Sequence, residues 1–298
     1  HKFGLIYSVD PADDWKTDAA LQKSNPNWDH LDHDVITSER AAALVSPAAE
    51  NDYKTKRLNI WVQAAAAWIS LKQWQKCIQR DISLSDFAGT ECVYGLDLAT
   101  KLDVTAAVRV FWRPDADNVL HYYVFPEFWL PEDTVQASRN SQYQGWANSG
   151  LFHLSPGSVT DYNDIGRYLM TDTRDYQCLG VGYDPWNCTQ LAQTWSAEGI
   201  EMYEVIQGPK TLSEPMKFVE QLSMQNRIHF DGNPVFLWML TNVTVKPDRN
   251  DNIYPRKERN ENKIDGVFAM LSAFYIIMKR DIEHTWQDWQ EDPEPVFI

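Results

Sequence analysis

The first half of the chain contains three closely spaced apolar runs, each rich in β-branched and aromatic residues. They cover residues 92–99, 104–112 and 119–128. The polar segment 113–118 separates the last two and has the composition of a tight turn. These runs predict three strands joined as an antiparallel meander.

The later part of the chain alternates helical spacing with short apolar runs. Strands are predicted over residues 179–183 and 202–206, and helices over residues 160–173, 186–198, 213–225, 234–245 and 263–279. A meander followed by such units predicts an α/β fold, a mixed β-sheet flanked by helices.

The N-terminal part has a different pattern. An apolar run over residues 3–9 predicts a strand, and short helical patterns follow over 41–44 and 58–79. A strand that opens the chain without an earlier partner is typical of a piece of a larger protein. The acidic and histidine-rich residues 29–34 could be metal ligands, but we favour a solvated helix start because no further ligand completes a site.

We therefore predict three regions. Residues 1–84 form a small, mainly helical N-terminal segment, residues 85–280 the α/β domain, and residues 281–298 an acidic tail. Within the domain, residues 246–262 are dense in charge and predict a mobile loop.

Composition narrows the class of protein. The 298 residues are 44% hydrophobic, enough to bury one large core. The four cysteines show neither a disulfide framework nor zinc-finger spacing, which favours a reducing compartment. The longest apolar stretch, residues 267–278, is too short to span a bilayer, so no membrane partner is expected.

The formal net charge of −15 argues against a simple nucleic-acid binder. Phosphate groups should be repelled by such a protein at low ionic strength. Either the partner is not nucleic acid, or local basic residues and bound metal overcome the overall field.

Three aspartates stand in positions that suggest chemistry. Asp97 lies inside an apolar run, where an unpaired charge is costly, so it calls for a metal ion, a salt bridge or a frayed strand end. Asp184 ends the run 179–183 and could be a metal ligand or an ordinary turn residue. Asp265 opens the last apolar helix, where it could be a ligand or an N-cap.

Carboxylate oxygens are the ligands that Mg²⁺ and Mn²⁺ prefer. Two such ions can activate a water and stabilise the leaving oxygen of a phosphodiester. No histidine stands beside a candidate nucleophile in a recognisable motif, so the three aspartates are the leading candidate site.

At this point a family resemblance becomes specific. Residues 94–99 (YGLDLA) with 103–106 (DVTA), 182–187 (GYDPWN) and 263–269 (KIDGVFA) resemble the three acidic motifs of tailed-phage large terminase nuclease domains. Segments that also resemble the family are residues 23–27, 231–235 and 238–243. The likeness covers nearly the whole chain, with the motifs in the expected order.

The resemblance implies a ribonuclease H-like fold and an endonuclease that cuts double-stranded DNA during phage genome packaging. It implies two Mg²⁺ or Mn²⁺ ions held by Asp97, Asp184 and Asp265, with Asp103 as an additional acidic position. A turn aspartate before a strand is the alternative for Asp103. The chain contains no Gly-rich lysine loop, so ATP hydrolysis is not expected of it, and a missing ATPase half of the same protein is implied.

The implied partners are double-stranded DNA, the portal and the small terminase subunit, and the implied location is the host cytoplasm, transiently at the procapsid portal. The basic residues expected to bind DNA are Lys101, Lys210, Lys246, Arg256 and Lys257. Two alternatives remain. One is another ribonuclease H-like DNA enzyme, a transposase or a resolvase, and the other is a non-catalytic module that docks on the portal.

Overall fold

A computed structural model describes residues 5, 7–10, 12–44, 47–60, 67–99, 103–138, 140–186, 188–245, 247–259 and 261–280. The chain divides into two compact units, His1–Ala67 and Trp68–Ile298. Within the described ranges, no helix has the length and apolar character needed to cross a membrane.

The described residues of the first unit form a small helical cluster. Its helices are α1 (Asp18–Ser24), α2 (His33–Ala43) and α3 (Pro47–Leu58). The Asp32 side chain accepts hydrogen bonds from the amides of Asp34 and Val35 and thereby caps α2. The acidic cluster at residues 29–34 is therefore a helix start, as expected.

The second unit contains a seven-stranded sheet and the remaining helices. The strands are β1 (Glu91–Asp97), β2 (Thr105–Pro114), β3 (Leu120–Pro131), β4 (His153–Ser155), β5 (Gln177–Tyr183), β6 (Met202–Glu204) and β7 (Ile228–Phe230). The helices are α4 (Leu71–Lys76), α5 (Glu132–Ala137), α6 (Gln142–Asn148), α7 (Tyr162–Asp175), α8 (Thr189–Ala197), α9 (Pro209–Met224), α10 (Pro234–Asn242) and α11 (Asp265–Lys279).

The sheet is mixed, as the sequence predicts. Its strand order is β4-β3-β2-β1-β5-β6, and β7 pairs with β3. Strands β1, β2 and β3 form the antiparallel meander, whereas β5 and β6 add to β1 in parallel. Both faces are covered by apolar clusters, so the sheet is buried between helices in the α/β arrangement that we expected.

Several boundaries differ from the sequence-based expectations. The predicted strand over residues 3–9 is wrong at residues 5 and 7–9, which are not in a strand, and its other residues lie outside the described ranges, as does the acidic tail. The helical pattern over 58–79 holds for α4 but is wrong at residues 59–60 and 67–70, which are not helical, and residues 61–66 lie outside the described ranges. Helix α8 begins three residues later than expected, because the Asp184 side chain accepts the Trp186 amide and holds a turn there.

Helix α11 lies directly across the centre of the sheet because two glycines permit backbone contact. A Cβ atom on Gly95 of β1 would come within 1.8 Å of the Ala269 carbonyl oxygen. A Cβ on Gly182 of β5 would come within 2.8 Å of the Ser272 carbonyl oxygen. Helix α11 therefore comes closest to the sheet over β1, which ends at Asp97, and over β5, which is directly followed by Asp184.

Candidate active site

The ends of β1 and β5 bring two of the expected aspartates to the same edge of the sheet. The register pairs Gly95 with Gly182 and Leu96 with Tyr183. Because side chains alternate between faces, Asp97 and Asp184 lie on the same face as the two glycines, the face that α11 covers. The carboxyl ends of these parallel strands therefore present both carboxylates beneath one helix.

Helix α11 supplies the third carboxylate. Asp265 is its first residue and lies one turn before Ala269, whose carbonyl contacts Gly95. The N-cap position is Ile264, and no side chain caps this helix. The N-cap alternative for Asp265 is therefore wrong, and its carboxylate is left for another role.

Electrostatic coupling shows that the carboxylates share one neighbourhood. Burial, followed by the negative charge of Asp265, holds the pKa of Asp97 well above its usual range, and Asp184 and Asp103 contribute in the same direction. Burial, followed by the charge of Asp103, raises the pKa of Asp265 to about 7. Crowded carboxylates of this kind need a proton or a cation to be neutralised.

Asp103 has a basic partner that the sequence did not reveal. The Lys263 ammonium lies 2.7 Å from the Asp103 carboxylate. Beside this pair is a cavity of about 340 Å³, whose lining includes Thr134, Asn140 and Tyr143. Only the third acidic motif, in which Lys263 stands two residues before Asp265, could have drawn attention to this lysine.

Gln207 is a second residue that sequence reasoning missed. Its side-chain amide donates a 3.0 Å hydrogen bond to one Asp97 carboxylate oxygen. Gln207 lies just beyond the end of β6, and Asp184 lies just beyond the end of β5. Because ligand sites tend to lie beyond the carboxyl ends of strands, this position could have identified Gln207 from the sequence. The hydrogen bond orients Asp97 and lowers the cost of its ionised form.

The donor set fits a divalent cation. The Oδ2 atom of Asp265 is buried and has no hydrogen-bond partner, and an orphaned carboxylate oxygen suits a hard ion such as Mg²⁺ or Mn²⁺. Over the described part of the chain, no group of three or more His, Cys, Asp or Glu side chains is already arranged to hold a metal ion. The carboxylates of Asp97, Asp184 and Asp265 are thus neighbours, but their side chains are not arranged as a complete set of metal ligands.

The basic residues expected at the DNA surface are placed only in part. Lys101 and Lys246 lie outside the described residues. Lys257 is exposed, and its charge lowers the pKa of Asp265, which puts it near the site. Lys210 is exposed in the first turn of α9, and Arg256 pairs through its backbone with Thr244.

We predict that Gln207→Ala weakens the binding of a divalent metal ion by the carboxylates and leaves the fold intact. Without the amide, the Asp97 carboxylate loses its orientation, and removing such a supporting hydrogen bond costs about 10-fold or more in metal affinity. The Mn²⁺ concentration that gives half of the metal-induced rise in melting temperature should increase by that factor. Gln221→Ala, an exposed glutamine on α9, is the matched control. An unchanged Mn²⁺ titration in Gln207→Ala would contradict the positioning role.

We also predict that the metal-free protein loses stability as pH rises. The folded-state pKa of Asp265 is about 7 against an ordinary value of 3.8, so the folded chain binds more protons than the unfolded chain between these limits. The free energy of unfolding should therefore fall as pH rises from about 4 to about 7, and this group should account for about 4 kcal/mol of the loss. Melting curves with chelator at pH 5 and pH 8 measure the change. A fall of equal size in Asp265→Asn would show that general charge repulsion causes it.

Comparison with known proteins supports the class that the sheet and the site suggest. The family model for the terminase large subunit, endonuclease domain, matches residues 1–281. Protein YmfN of Escherichia coli (strain K12) is 34% identical over 301 residues, covering 96% of this chain and 65% of YmfN. The crystal structure of the HK97 bacteriophage large terminase aligns with a TM-score of 0.62 and 24% identity, covering 91% of this chain and 56% of that chain. The large terminase nuclease from thermophilic phage G20c aligns with a TM-score of 0.46 and 12% identity, covering 70% of this chain and 97% of that chain.

The fold, a mixed sheet flanked by helices, is similar to that of the HK97 large terminase, and in this chain acidic residues gather at the carboxyl edge of the central strands. The chain belongs to the family of terminase large subunit endonuclease domains. It spans 65% of the length of YmfN and 56% of that of the HK97 large terminase.

Proposed function

We propose that this chain is a metal-dependent endonuclease that cuts double-stranded DNA during phage genome packaging, using two ions of Mg²⁺ or Mn²⁺. The observation that carries the proposal is the crowding of Asp97 and Asp265, whose pKa values are raised by burial and by neighbouring carboxylates. A protein fold retains such a costly arrangement where it serves a function. Membership of a nuclease family supports the same conclusion.

The chain's own residues have distinct roles in this proposal. Asp97, Asp184 and Asp265 would hold the ions, with Asp103 as a further acidic group. Bound divalent ions supply an activated water and stabilise the leaving oxygen of a phosphodiester. Gln207 orients Asp97, and exposed Lys257 attracts the phosphate backbone towards the carboxylates.

The acidic net charge of −15 is compatible with this role if DNA is delivered by other parts of a packaging assembly. We propose that the ATPase half of the same protein, the portal and the small terminase subunit are those parts, in the host cytoplasm and transiently at the procapsid portal. Binding of DNA by this chain alone should then be weak and fall steeply with salt, since few basic residues carry it.

Incubation of the purified chain with supercoiled plasmid tests the nuclease function directly. Nicked or linear plasmid should form with Mg²⁺ or Mn²⁺, and a chelator should stop the reaction. The same preparation should gain several degrees in melting temperature with Mn²⁺, because an ion that binds only the folded state stabilises it. Absence of cutting with both metals, in a protein that melts cooperatively, would favour a non-catalytic docking module.

A further inference from the structure

The residue after the Asp184-Pro185 turn is an exposed tryptophan. Trp186 is 86% exposed, whereas the other large hydrophobic side chains with the greatest exposure are Leu5 at 67%, Ile206 at 66% and Met224 at 65%. Tryptophan is highly buried on average, because its large ring gains most from leaving water. A ring left in solvent at this position calls for a partner.

The backbone of Trp186 is tied to the candidate site. Its amide donates a 3.1 Å hydrogen bond to one Asp184 carboxylate oxygen. This hydrogen bond fixes the backbone of Trp186 relative to the Asp184 carboxylate. The indole ring is therefore attached only two residues after an expected metal ligand.

A second exposed apolar side chain lies at the same edge of the sheet. Ile206 follows β6, the parallel neighbour of β5, and directly precedes Gln207, which donates to Asp97. The carboxyl ends of β5 and β6 thus each carry an exposed apolar residue beside a residue that serves the site.

The chemistry of this edge favours nucleic acid over a protein partner. A stable protein interface buries about 800 Å² on each side, far more than one indole and one isoleucine side chain present. A single nucleobase, in contrast, is fully matched by one indole ring, and base stacking on aromatic side chains tolerates any sequence. Proteins that deform duplex DNA also insert apolar side chains between base steps.

We propose that Trp186 stacks on a nucleobase of the DNA strand next to the cleaved phosphodiester, with Ile206 supporting the displaced step. The inference rests on the proposed nuclease function and adds a residue that holds the substrate. Trp186 contributes to binding and alignment of DNA, and the carboxylates carry the reaction.

Photo-cross-linking of the intact chain to duplex DNA containing bromouracil in place of thymine tests this contact independently of cutting. Calcium replaces manganese to prevent cleavage, and cross-linked peptides are mapped by mass spectrometry. A cross-link to Trp186 is expected. Cross-links confined to other residues, in a sample that binds the duplex, would overturn the proposal.

Kinetics of plasmid cutting provide the second measurement. Loss of one stacked base should raise the KM of Trp186→Ala about 10-fold, while Trp186→Phe should recover most of the loss because it keeps an aromatic face. The matched control is Met224→Ala, an exposed apolar residue next to the turn that leads into β7, at the far end of the sheet.

The outcomes separate this proposal from the nuclease function. An unchanged Mn²⁺-induced melting shift in Trp186→Ala would show that the metal site is intact. If wild type cuts and Trp186→Ala has the same KM, the nuclease function stands and the stacking role is wrong. If wild type does not cut with either metal but still cross-links through Trp186, the nuclease function fails and the DNA contact stands.

Discussion

Replacement of Asp97 by asparagine should reduce the rate of DNA cutting about a thousandfold, equivalent to about 4 kcal/mol of transition-state stabilisation. Asp97 is the carboxylate that feels the charge of all three others, since Asp265, Asp184 and Asp103 each raise its pKa. Asparagine has nearly the same shape but lacks the charge that a divalent ion requires. Single-turnover cutting of plasmid at saturating Mn²⁺ measures the loss.

The same substitution should raise the melting temperature of the metal-free protein above pH 7. An uncharged amide removes the repulsion with Asp265 and the cost of burying a charge. It should also reduce the stabilisation by Mn²⁺, because a central ligand is lost. Opposite changes in activity and stability identify a group kept for function rather than for folding.

Asp117→Asn is the matched control for both measurements. Asp117 is exposed in the turn between β2 and β3, at the opposite end of the sheet from Asp97. This variant should cut and melt like wild type. An Asp97→Asn protein that cuts at the wild-type rate would remove Asp97 from the site.

Gly95→Ala should destabilise the protein by about 3 kcal/mol or more, because overpacking against backbone has no flexible side chain to yield. The added methyl group would lie 1.8 Å from the Ala269 carbonyl oxygen, so α11 must move away from β1. A fall of roughly 6–12 °C in melting temperature follows for a domain of this size. Cutting should fall as well, since the same movement separates Asp265 from Asp97.

Gly145→Ala makes the same chemical change where there is room. Gly145 lies in α6, where a Cβ atom added to it would have no other atom within 4 Å. Alanine is also a better helix former than glycine, by up to about 1 kcal/mol. This variant should be as stable as wild type or slightly more so. If Gly95→Ala also melts at the wild-type temperature, the close packing of α11 on β1 is wrong.

The sequence alone predicted the elements that depend on local patterns. The apolar runs that form β1, β2 and β3 are rich in β-branched and aromatic residues. The segment between β2 and β3 consists of polar residues that are typical of a tight turn. Together with the family resemblance, it also predicted the mixed sheet and singled out Asp97, Asp184 and Asp265. An aspartate inside or at the end of an apolar run is conspicuous, because its charge conflicts with its neighbours.

Short strands and short helices were not predictable in this way. Strands β4 and β7 have three residues each, and both pair with β3 across a long stretch of chain. Unlike β6, which is equally short but lies within the apolar run predicted over residues 202–206, these two segments show no apolar run of their own, and their pairing depends on where the rest of the sheet has already folded. Helices α5 and α6 are also too brief to show a full amphipathic pattern.

Only the tertiary structure decided how the site is assembled. Gln207 and Lys263 are ordinary polar residues by local pattern, and contacts across 110 residues to Asp97 and 160 residues to Asp103 give them their roles. The raised pKa values of Asp97 and Asp265 likewise arise from burial beneath α11 and from mutual repulsion, neither of which a linear pattern contains. Local sequence determines which residues can be strand, helix or ligand, whereas the close approach of α11 to β1 and β5 at Gly95 and Gly182 determines which of them meet.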